Sequence, residues 1–173
     1  MTANVFGSAR PEAAIDPATY RSVLGHLPTG VTVVATIDSG RPVGLVVGSV
    51  FSVSLEPALV GFCVALTSNT WPSIERTGRF AVSVLGDHQA AICRVMSTKN
   101  PDKFEQVPWS AAPATGSPYV DGAVASIDCE LDERYVAGDH YIVVGRVRHL
   151  HSEPNSAGPL VFCRGDLGRH EPL

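Results

Sequence analysis

Residues 31–57 read VTVVATIDSGRPVGLVVGSVFSVSLEP, and this segment predicts the architecture of the chain. Its first seven residues are mostly β-branched, Ser39-Gly40 interrupts the apolar run, and residues 42–50 resume it. Two such runs joined by a turn pair predict a β-hairpin. Further strands are expected at residues 58–66, 79–85, 123–136, 141–150 and 160–163, where apolar or alternating runs recur between turn residues.

No predicted strand is followed by a helix long enough for a parallel crossover, so we expect a closed antiparallel barrel. The predicted helices are short: one begins at Asp16-Pro17 and ends at Pro28, one spans residues 69–78, one follows Asp87, and residues 99–107 form a turn or two. Residues 108–118 are a loop by composition. The first helix has apolar residues on one side, namely Tyr20, Val23, Leu24 and Leu27.

The chain has 173 residues, enough for one domain with its own core. We expect a loose arm over residues 1–15 and a single domain over residues 16–173. The net charge of −4 and the lack of a Lys/Arg block argue against nucleic-acid and anionic-membrane binding. With neither a membrane-length apolar run nor a secretory signal, the expected location is the cytoplasm.

The four cysteines, Cys63, Cys93, Cys129 and Cys163, contain no C-x-x-C pair, so reduced core residues are favoured over a zinc or dithiol site. There is also no G-x-G-x-x-G motif, Walker loop or G-x-S-x-G elbow. No carboxylate pair lies in an apolar frame. Such a chain fits chemistry that a bound cofactor supplies while protein groups position it.

Three segments carry polar or glycine residues in unusual places. Gly30 follows a helix, and residues 44–54 interrupt an apolar strand with two glycines and three serines. Glycine in a strand marks a bulge or a close ligand approach, although a plain twisted strand explains it equally well. Residues 68–70 open a helix with three small polar side chains, which fits an anion or ordinary capping.

In this order, the segments resemble the small flavin reductases, FMN-binding split-barrel proteins that serve as reductase components of two-component flavin monooxygenases. The matching motifs include PTGV at 28–31, residues 44–57, SNT at 68–70, GRFAVSVL at 78–85, DKF at 102–104 and GDH at 138–140. The resemblance implies a six-stranded antiparallel Greek-key split barrel with short helices. It also implies a homodimer, bound FMN or FAD, hydride transfer from NADH or NADPH, and a flavin-dependent monooxygenase as partner.

The resemblance also implies roles for individual residues. It places Thr29 and Gly30 near the flavin and the backbone of Val46, Val47, Gly48 and Ser49 along the isoalloxazine edge. It assigns the ribityl and phosphate groups to Ser52, Ser54, Ser68, Asn69 and Thr70, a phosphate contact to Arg94, and the nicotinamide nucleotide to His140. No catalytic acid or base and no metal ligand is implied.

This chain departs from the family pattern Thr-x-Asn/Ser-Ser-Phe-Thr, because residues 46–51 read VVGSVF. The hydroxyl at position 46 and the polar side chain at position 48 are missing, and each lost hydrogen bond is worth about 0.5–1.5 kcal/mol. Two alternatives therefore stand beside a flavin reductase. One is an enzyme with tightly bound FMN and another acceptor, and the other is a non-catalytic ligand-binding or interaction module.

Overall fold

The computed structural model describes residues 14–153 and 157–173. The division into an arm over 1–15 and a domain over 16–173 stays a prediction, and residues 1–13 lie outside the described part. The strands are β1 (Thr29–Gly30), β2 (Thr32–Asp38), β3 (Arg41–Val47), β4 (Phe51–Ser54), β5 (Leu59–Ala65), β6 (Arg79–Val84), β7 (Trp109–Ala111), β8 (Pro118–Val120), β9 (Ala125–Ala137), β10 (His140–Ser152), β11 (Leu160–Cys163) and β12 (Asp166–Arg169). The helices are α1 (Pro17–Leu24), α2 (Trp71–Thr77) and α3 (Ala90–Met96), with 3-10 turns at Asp87–Gln89 and Lys103–Gln106.

The main sheet has seven strands in the order β3-β2-β6-β9-β10-β5-β4, and every pair is antiparallel. Its two edge strands, β3 and β4, follow one another in the chain across residues 48–50, so the sheet must curl for its edges to meet. Ser49, in the connection between β3 and β4, links this connection to β5, because its hydroxyl accepts a hydrogen bond from the Cys63 backbone N–H at 2.9 Å.

The predicted mainly β, antiparallel barrel is confirmed, with one strand more than the expected six. The predicted strand over 42–50 breaks at Gly48, and the serine-bearing residues after it form a strand of their own, β4. Six of the seven strands, all but β4, contribute buried side chains to the cluster inside the barrel, which includes Val34, Phe62, Phe80 and Val143.

The continuous apolar run of β2 has a simple explanation, because both of its faces are covered. Val34 points into the barrel, whereas Val33 and Ala35 pack outside it against Leu85 and Met96. Successive residues of a strand face opposite sides, so a strand buried on both faces is apolar throughout. The outer layer consists of α3 and the small sheet β1-β11-β12, and it lies where the functional site is found.

The loop predicted over residues 108–118 is wrong, because β7 and β8 pair there as a short hairpin. The fully buried carboxylate of Asp128 holds the connection between them. It accepts the backbone N–H groups of Ala114 at 2.8 Å and Thr115 at 3.0 Å, and the Thr115 hydroxyl at 2.5 Å. Composition alone could not show this long-range anchor.

Helix α1 begins as predicted, with the Asp16 carboxylate accepting the Thr19 N–H at 2.8 Å, but it ends at Leu24 rather than Pro28. Its predicted apolar side is exposed: Tyr20 is 55% and Val23 is 61% accessible. Helix α2 ends at Gly78, whose φ of 64° is left-handed and suits glycine. Within the described residues, no helix combines the length and apolarity that crossing a bilayer requires.

All four cysteines are free thiols. Burial raises the pKa of Cys129 to about 12, so this thiol stays protonated and unreactive at neutral pH.

Candidate functional site

A cleft of about 1180 Å³ lies over the outer face of β3. Its floor is the outer part of β3, one wall is the start of α2, and the opposite wall is the end of α3 with the segment that follows it. Residues of the small sheet close the remaining side. The residues that line the cleft include Thr29, Gly44, Val46, Gly48, Asn69, Thr70, Arg94, Lys99, Lys103, Phe162 and Leu167.

Glycine at position 44 allows α3 to lie directly on β3. A Cβ at this position would stand 3.0 Å from the Val34 carbonyl oxygen and 3.1 Å from the Met96 methyl group. The carbonyl of Gly44 in turn accepts a hydrogen bond of 3.4 Å from the Thr70 hydroxyl. The glycine therefore sets the distance between the floor and both walls of the cleft.

The end of β3 meets β1 at a second close approach. A Cβ on Gly48 would lie 2.9 Å from the Thr29 hydroxyl oxygen, which is closer than side-chain atoms normally come. Thr29 is held in place because it pairs with Phe162 in the small sheet. Thr29 and Gly48 thus place a hydroxyl group and an exposed stretch of backbone in a wall that Val46 and Phe162 otherwise make apolar.

The cleft is positively charged on the side of α3. Arg94, Lys99 and Lys103 line it, and no carboxylate does so among the described residues that form its walls. Arg94 and Lys99 make no ion pair or side-chain hydrogen bond within residues 14–153 and 157–173. Unpaired cations of one sign favour an anionic group such as a phosphate.

Lys103 has a different position from the other two cations. Its ammonium group donates hydrogen bonds to the carbonyl oxygens of Met96 at 2.8 Å and Thr98 at 3.1 Å. Burial lowers the pKa of this lysine. These bonds hold the segment after α3 against the helix, so Lys103 shapes the wall that carries Lys99.

The structure brings six of the thirteen predicted site residues together in the cleft: Thr29, Val46, Gly48, Asn69, Thr70 and Arg94. The other seven do not line it: Gly30, Val47, Ser49, Ser52, Ser54, Ser68 and His140.

Val47 packs inside the barrel, since the alternation along β3 turns it away from Val46. The Ser49 hydroxyl is used by the Cys63 backbone, and the Ser68 hydroxyl accepts the N–H groups of Thr70 at 3.3 Å and Trp71 at 3.2 Å. None of these three side chains lines the cleft described here. That the backbone of Val47 and Ser49 borders the flavin ring, and that Ser68 contacts its ribityl or phosphate group, stays a prediction.

Ser52 and Ser54 lie on β4, the edge strand at the other end of the sheet order, and Gly30 is exposed in β1. His140 begins β10 opposite Ala65, and its Nδ1 lies 2.7 Å from the Asp139 carboxylate. The turn after β5 connects it to the cleft, because Leu66 N–H donates to the Asp139 carbonyl at 2.9 Å, a few residues before Asn69.

Sequence reasoning missed Lys99, Phe162 and Leu167, which also line the cleft. A signal for Lys99 exists, since it is a basic residue within the polar run that follows the third predicted helix. Phe162 and Leu167 carried no such signal. They reach the site only because β1 pairs with β11, a contact between distant parts of the chain.

The walls combine an apolar surface, a few polar groups and unpaired cations, which suits an elongated ligand with a flat apolar part and an anionic end. Among the described residues that line the cleft there is no Asp, Glu or His. Such a lining fits chemistry that bound groups supply while the protein positions them.

Comparisons with known proteins agree with this reading. The family model of the flavin reductase like domain matches residues 24–170. The reductase subunit HsaB of a flavin-dependent monooxygenase from Rhodococcus jostii is 45% identical over 159 residues, which are 92% of this chain and 80% of the relative.

Two solved structures share the fold over nearly the whole chain. Nitrilotriacetate monooxygenase component B from Mycobacterium thermoresistibile is 40% identical, with a TM-score of 0.88 over 91% of this chain and 88% of that one. The NADH:FAD oxidoreductase SgcE6 from Streptomyces globisporus is 34% identical, with a TM-score of 0.85 over 94% of this chain and 100% of that one. On its sequence and its fold, this chain belongs to the flavin reductase like domain family.

Proposed function

We propose that the protein is an NAD(P)H:flavin oxidoreductase that supplies reduced FMN or FAD to a partner monooxygenase. The observation that carries the proposal is a cleft with an apolar wall and unpaired cations, and with no Asp, Glu or His among the described residues that line it, in a chain of this family. The named relatives include a monooxygenase reductase subunit and an NADH:FAD oxidoreductase, which supports the choice of both reactants.

The residues present fit a flavin. The apolar wall around Val46 suits the ring system, and the missing Cβ at Gly48 leaves the backbone open to close approach. Asn69 and Thr70 offer polar groups for a ribityl chain, and Arg94 and Lys99 offer unpaired charge for its phosphate. Because the hydroxyl at position 46 and the polar side chain at position 48 of the family pattern are missing, we expect a flavin that binds and leaves as a substrate.

A bound flavin would supply the hydride-accepting chemistry, with the nicotinamide as the donor. The residues of this chain would contribute position and environment. Val46 and Phe162 would lie against the ring and Arg94 and Lys99 would hold the phosphate, while Lys103 holds the wall in place. Bringing two reactants to a separation of about 3–3.5 Å in the right orientation supplies a large share of the acceleration.

Steady-state consumption of NADH with FMN, riboflavin and FAD tests the proposal. We expect turnover that requires both the protein and a flavin. In Arg94→Gln we expect the KM for FMN to rise about 5- to 10-fold, since one charged hydrogen bond is lost at a solvated site. The KM for riboflavin, which has no phosphate, should stay within about twofold of the wild type.

Each other outcome would assign this protein a different function or Arg94 a different role. Flavin binding without NADH consumption would indicate a non-catalytic ligand-binding module. FMN that remains bound through purification, together with no activity on free flavin, would indicate an enzyme with another electron acceptor. If Arg94→Gln changed the KM for FMN and the KM for riboflavin equally, Arg94 would not bind the phosphate.

The nicotinamide nucleotide is proposed to approach near His140, beside the turn that leads to Asn69. This imidazole is half-buried and lies against the Asp139 carboxylate, whose pKa it lowers through a hydrogen bond. His140→Ala is expected to raise the KM for NADH more than the Kd for flavin. Equal changes in both constants would mean that His140 has a structural role.

A homodimer is also part of the proposal. Within the described residues, Tyr20 and Val23 on α1 and Leu27 just after it are all more than half exposed. Exposed apolar side chains grouped in this way mark protein interfaces. Light scattering should give twice the chain mass, and Val23→Glu should shift the mass toward the monomer.

The free cysteines and the use of NADH support a cytoplasmic location.

A further inference from the structure

An aromatic stack joins the first residue of α2 to the hairpin of β9 and β10. The ring of Trp71, which is buried, lies 5.4 Å from the ring of Tyr141 on β10, centroid to centroid, and the two planes are tilted by 37°. The guanidinium carbon of Arg134 on β9 stands 4.8 Å from the centroid of the same tyrosine ring. Arg134 also pairs with Glu75 of α2, so the stack is closed by a charged contact.

The indole of Trp71 carries a polar atom that the fold does not satisfy. Its Nε1 is buried and makes no hydrogen bond within the described residues. Burying an N–H group without an acceptor costs free energy, and a leucine or phenylalanine would fill an apolar space without that cost. The indole differs from both in the size of its ring, which reaches Tyr141. Contact with Tyr141 therefore accounts for a tryptophan at this position.

Both rings of the stack adjoin residues that the proposed function uses. Trp71 directly follows Asn69 and Thr70, which line the cleft, and Tyr141 directly follows His140, where the nicotinamide is proposed to approach. Neither ring lines the cleft itself. The stack thus connects the polar start of α2 to the start of β10 from behind, and the two segments cannot move apart unless the stack breaks.

We propose that the aromatic stack of Trp71, Tyr141 and Arg134 positions the two reactants relative to each other, by fixing the distance between His140 and the start of α2. The proposal rests on the proposed function, which supplies the contacts on either side. Each reactant has contacts of its own and binds without the stack. Their relative placement matters only when both are bound, and an error of about 1 Å in such a placement lowers a rate by up to about 100-fold.

Tyr141→Leu tests the proposal by removing the middle ring. At saturating FMN and NADH, anaerobic mixing should show flavin reduction that is about 10- to 100-fold slower than in the wild type. The Kd for FMN alone and the Kd for NAD⁺ alone should stay within about twofold of the wild type, because the contacts of each reactant remain. Tyr141→Phe keeps the ring and should retain the wild-type rate.

Arg134→Gln tests the outer end of the stack without changing the buried side chains. The same step should slow about 2- to 5-fold, because the cation over the tyrosine ring is lost. Arg148→Gln is the matched control. Arg148 is exposed to a similar degree and pairs with Glu130, but it contacts no aromatic ring, so its variant should keep the wild-type rate.

Two measurements separate positioning from plain stability. Ile74→Val removes a buried methyl group of α2 outside the stack, so it should lower the unfolding temperature without slowing flavin reduction. Trp109→Phe leaves Trp71 as the sole tryptophan, and its emission then reports on the stack with no ligand present. In that background Tyr141→Leu should shift the emission, whereas Tyr141→Phe and Arg148→Gln should not.

The outcomes distinguish this proposal from the proposed function. Wild-type protein that neither binds flavin nor accelerates its reduction would contradict the proposed function itself. Wild-type rates in Tyr141→Leu and Arg134→Gln, or losses no larger than that of Ile74→Val, would overturn the positioning role and leave the proposed function intact. Losses found in the Kd for FMN or NAD⁺ but absent at saturation would overturn it as well.

Discussion

Single residues set the character of this site more than any constellation of charges does. Gly44 and Gly48 matter through the side chains that they lack, because each permits a close approach that a Cβ would block. Val46 matters through its methyl groups, which face both the cleft and the outer core cluster. These two glycines and this valine therefore set the shape of the cleft.

Val46→Thr is expected to tighten flavin binding about 2- to 10-fold, because it adds one hydroxyl to the wall at nearly constant volume. Fluorescence titration with FMN measures the change. Val46→Ala is the control, since it removes volume without adding a polar group and should not tighten binding. An unchanged Kd for Val46→Thr would show that backbone groups and packing do the holding.

At the scale of elements, buried polar anchors determine which segments stay ordered. Asp128 of β9 is fully buried and satisfies three donors of the connection between β7 and β8. Tyr119, next to it, has a buried hydroxyl that makes no hydrogen bond, and burial together with the nearby Asp128 raises the pKa of this phenol. The two polar groups should therefore respond in opposite ways to removal.

Asp128→Ala is expected to lower the free energy of unfolding by about 2–4 kcal/mol, because it removes the buried acceptor of three donors in the β7–β8 connection and creates a cavity. Tyr119→Phe removes only an unsatisfied hydroxyl, so its stability should equal or exceed that of the wild type. Urea denaturation measures both. A destabilisation of Tyr119→Phe comparable to that of Asp128→Ala would reveal a partner for the phenol.

Asp38 connects the β2–β3 turn to α2, the helix that forms one wall of the cleft. Its carboxylate accepts the Ser73 hydroxyl at 2.7 Å and pairs with Arg76, and these contacts hold its pKa below 3.8. A lowered pKa means that the stabilisation is complete above pH 3.8 and is lost as the pH falls through the pKa of the folded state.

Asp38→Asn should therefore be less stable than the wild type at neutral pH, and the difference should shrink as the pH falls below 3.8. Urea midpoints measured across this range give the comparison. Midpoints of the two proteins that differ by a constant amount at every pH would show that the carboxylate charge does not contribute.

At the scale of the whole molecule, much of the barrel could be predicted from the sequence. The run at 31–37 and the strands near 79–85 and 141–150 are long, β-branched and bounded by turn residues, so local pattern suffices. The hairpin of β7 and β8 could not be found this way, because the distant Asp128 stabilises it. The glycines of residues 44–54 already indicated a bulge or a close approach, but the sequence could not show that Thr29 is what approaches Gly48.

In the site, too, residues placed by local sequence pattern could be predicted, whereas residues placed by contacts between distant parts of the chain could not. Arg94 lies in one predicted short helix and Asn69 and Thr70 at the start of another, and all three line the cleft. Ser52 and Ser54 share the composition of a phosphate-binding segment, yet a separate edge strand carries them elsewhere. Phe162 and Leu167 enter through the pairing of β1 with β11, which joins residues more than a hundred positions apart.

Anaerobic mixing of the protein with NADH and FMN tests the central claim most directly, because it isolates hydride transfer from every later step. The account predicts that the flavin absorbance bleaches at a rate that depends on the protein, far faster than in solution without it. Bleaching at the rate of free NADH and FMN, with flavin bound in the cleft, would contradict it.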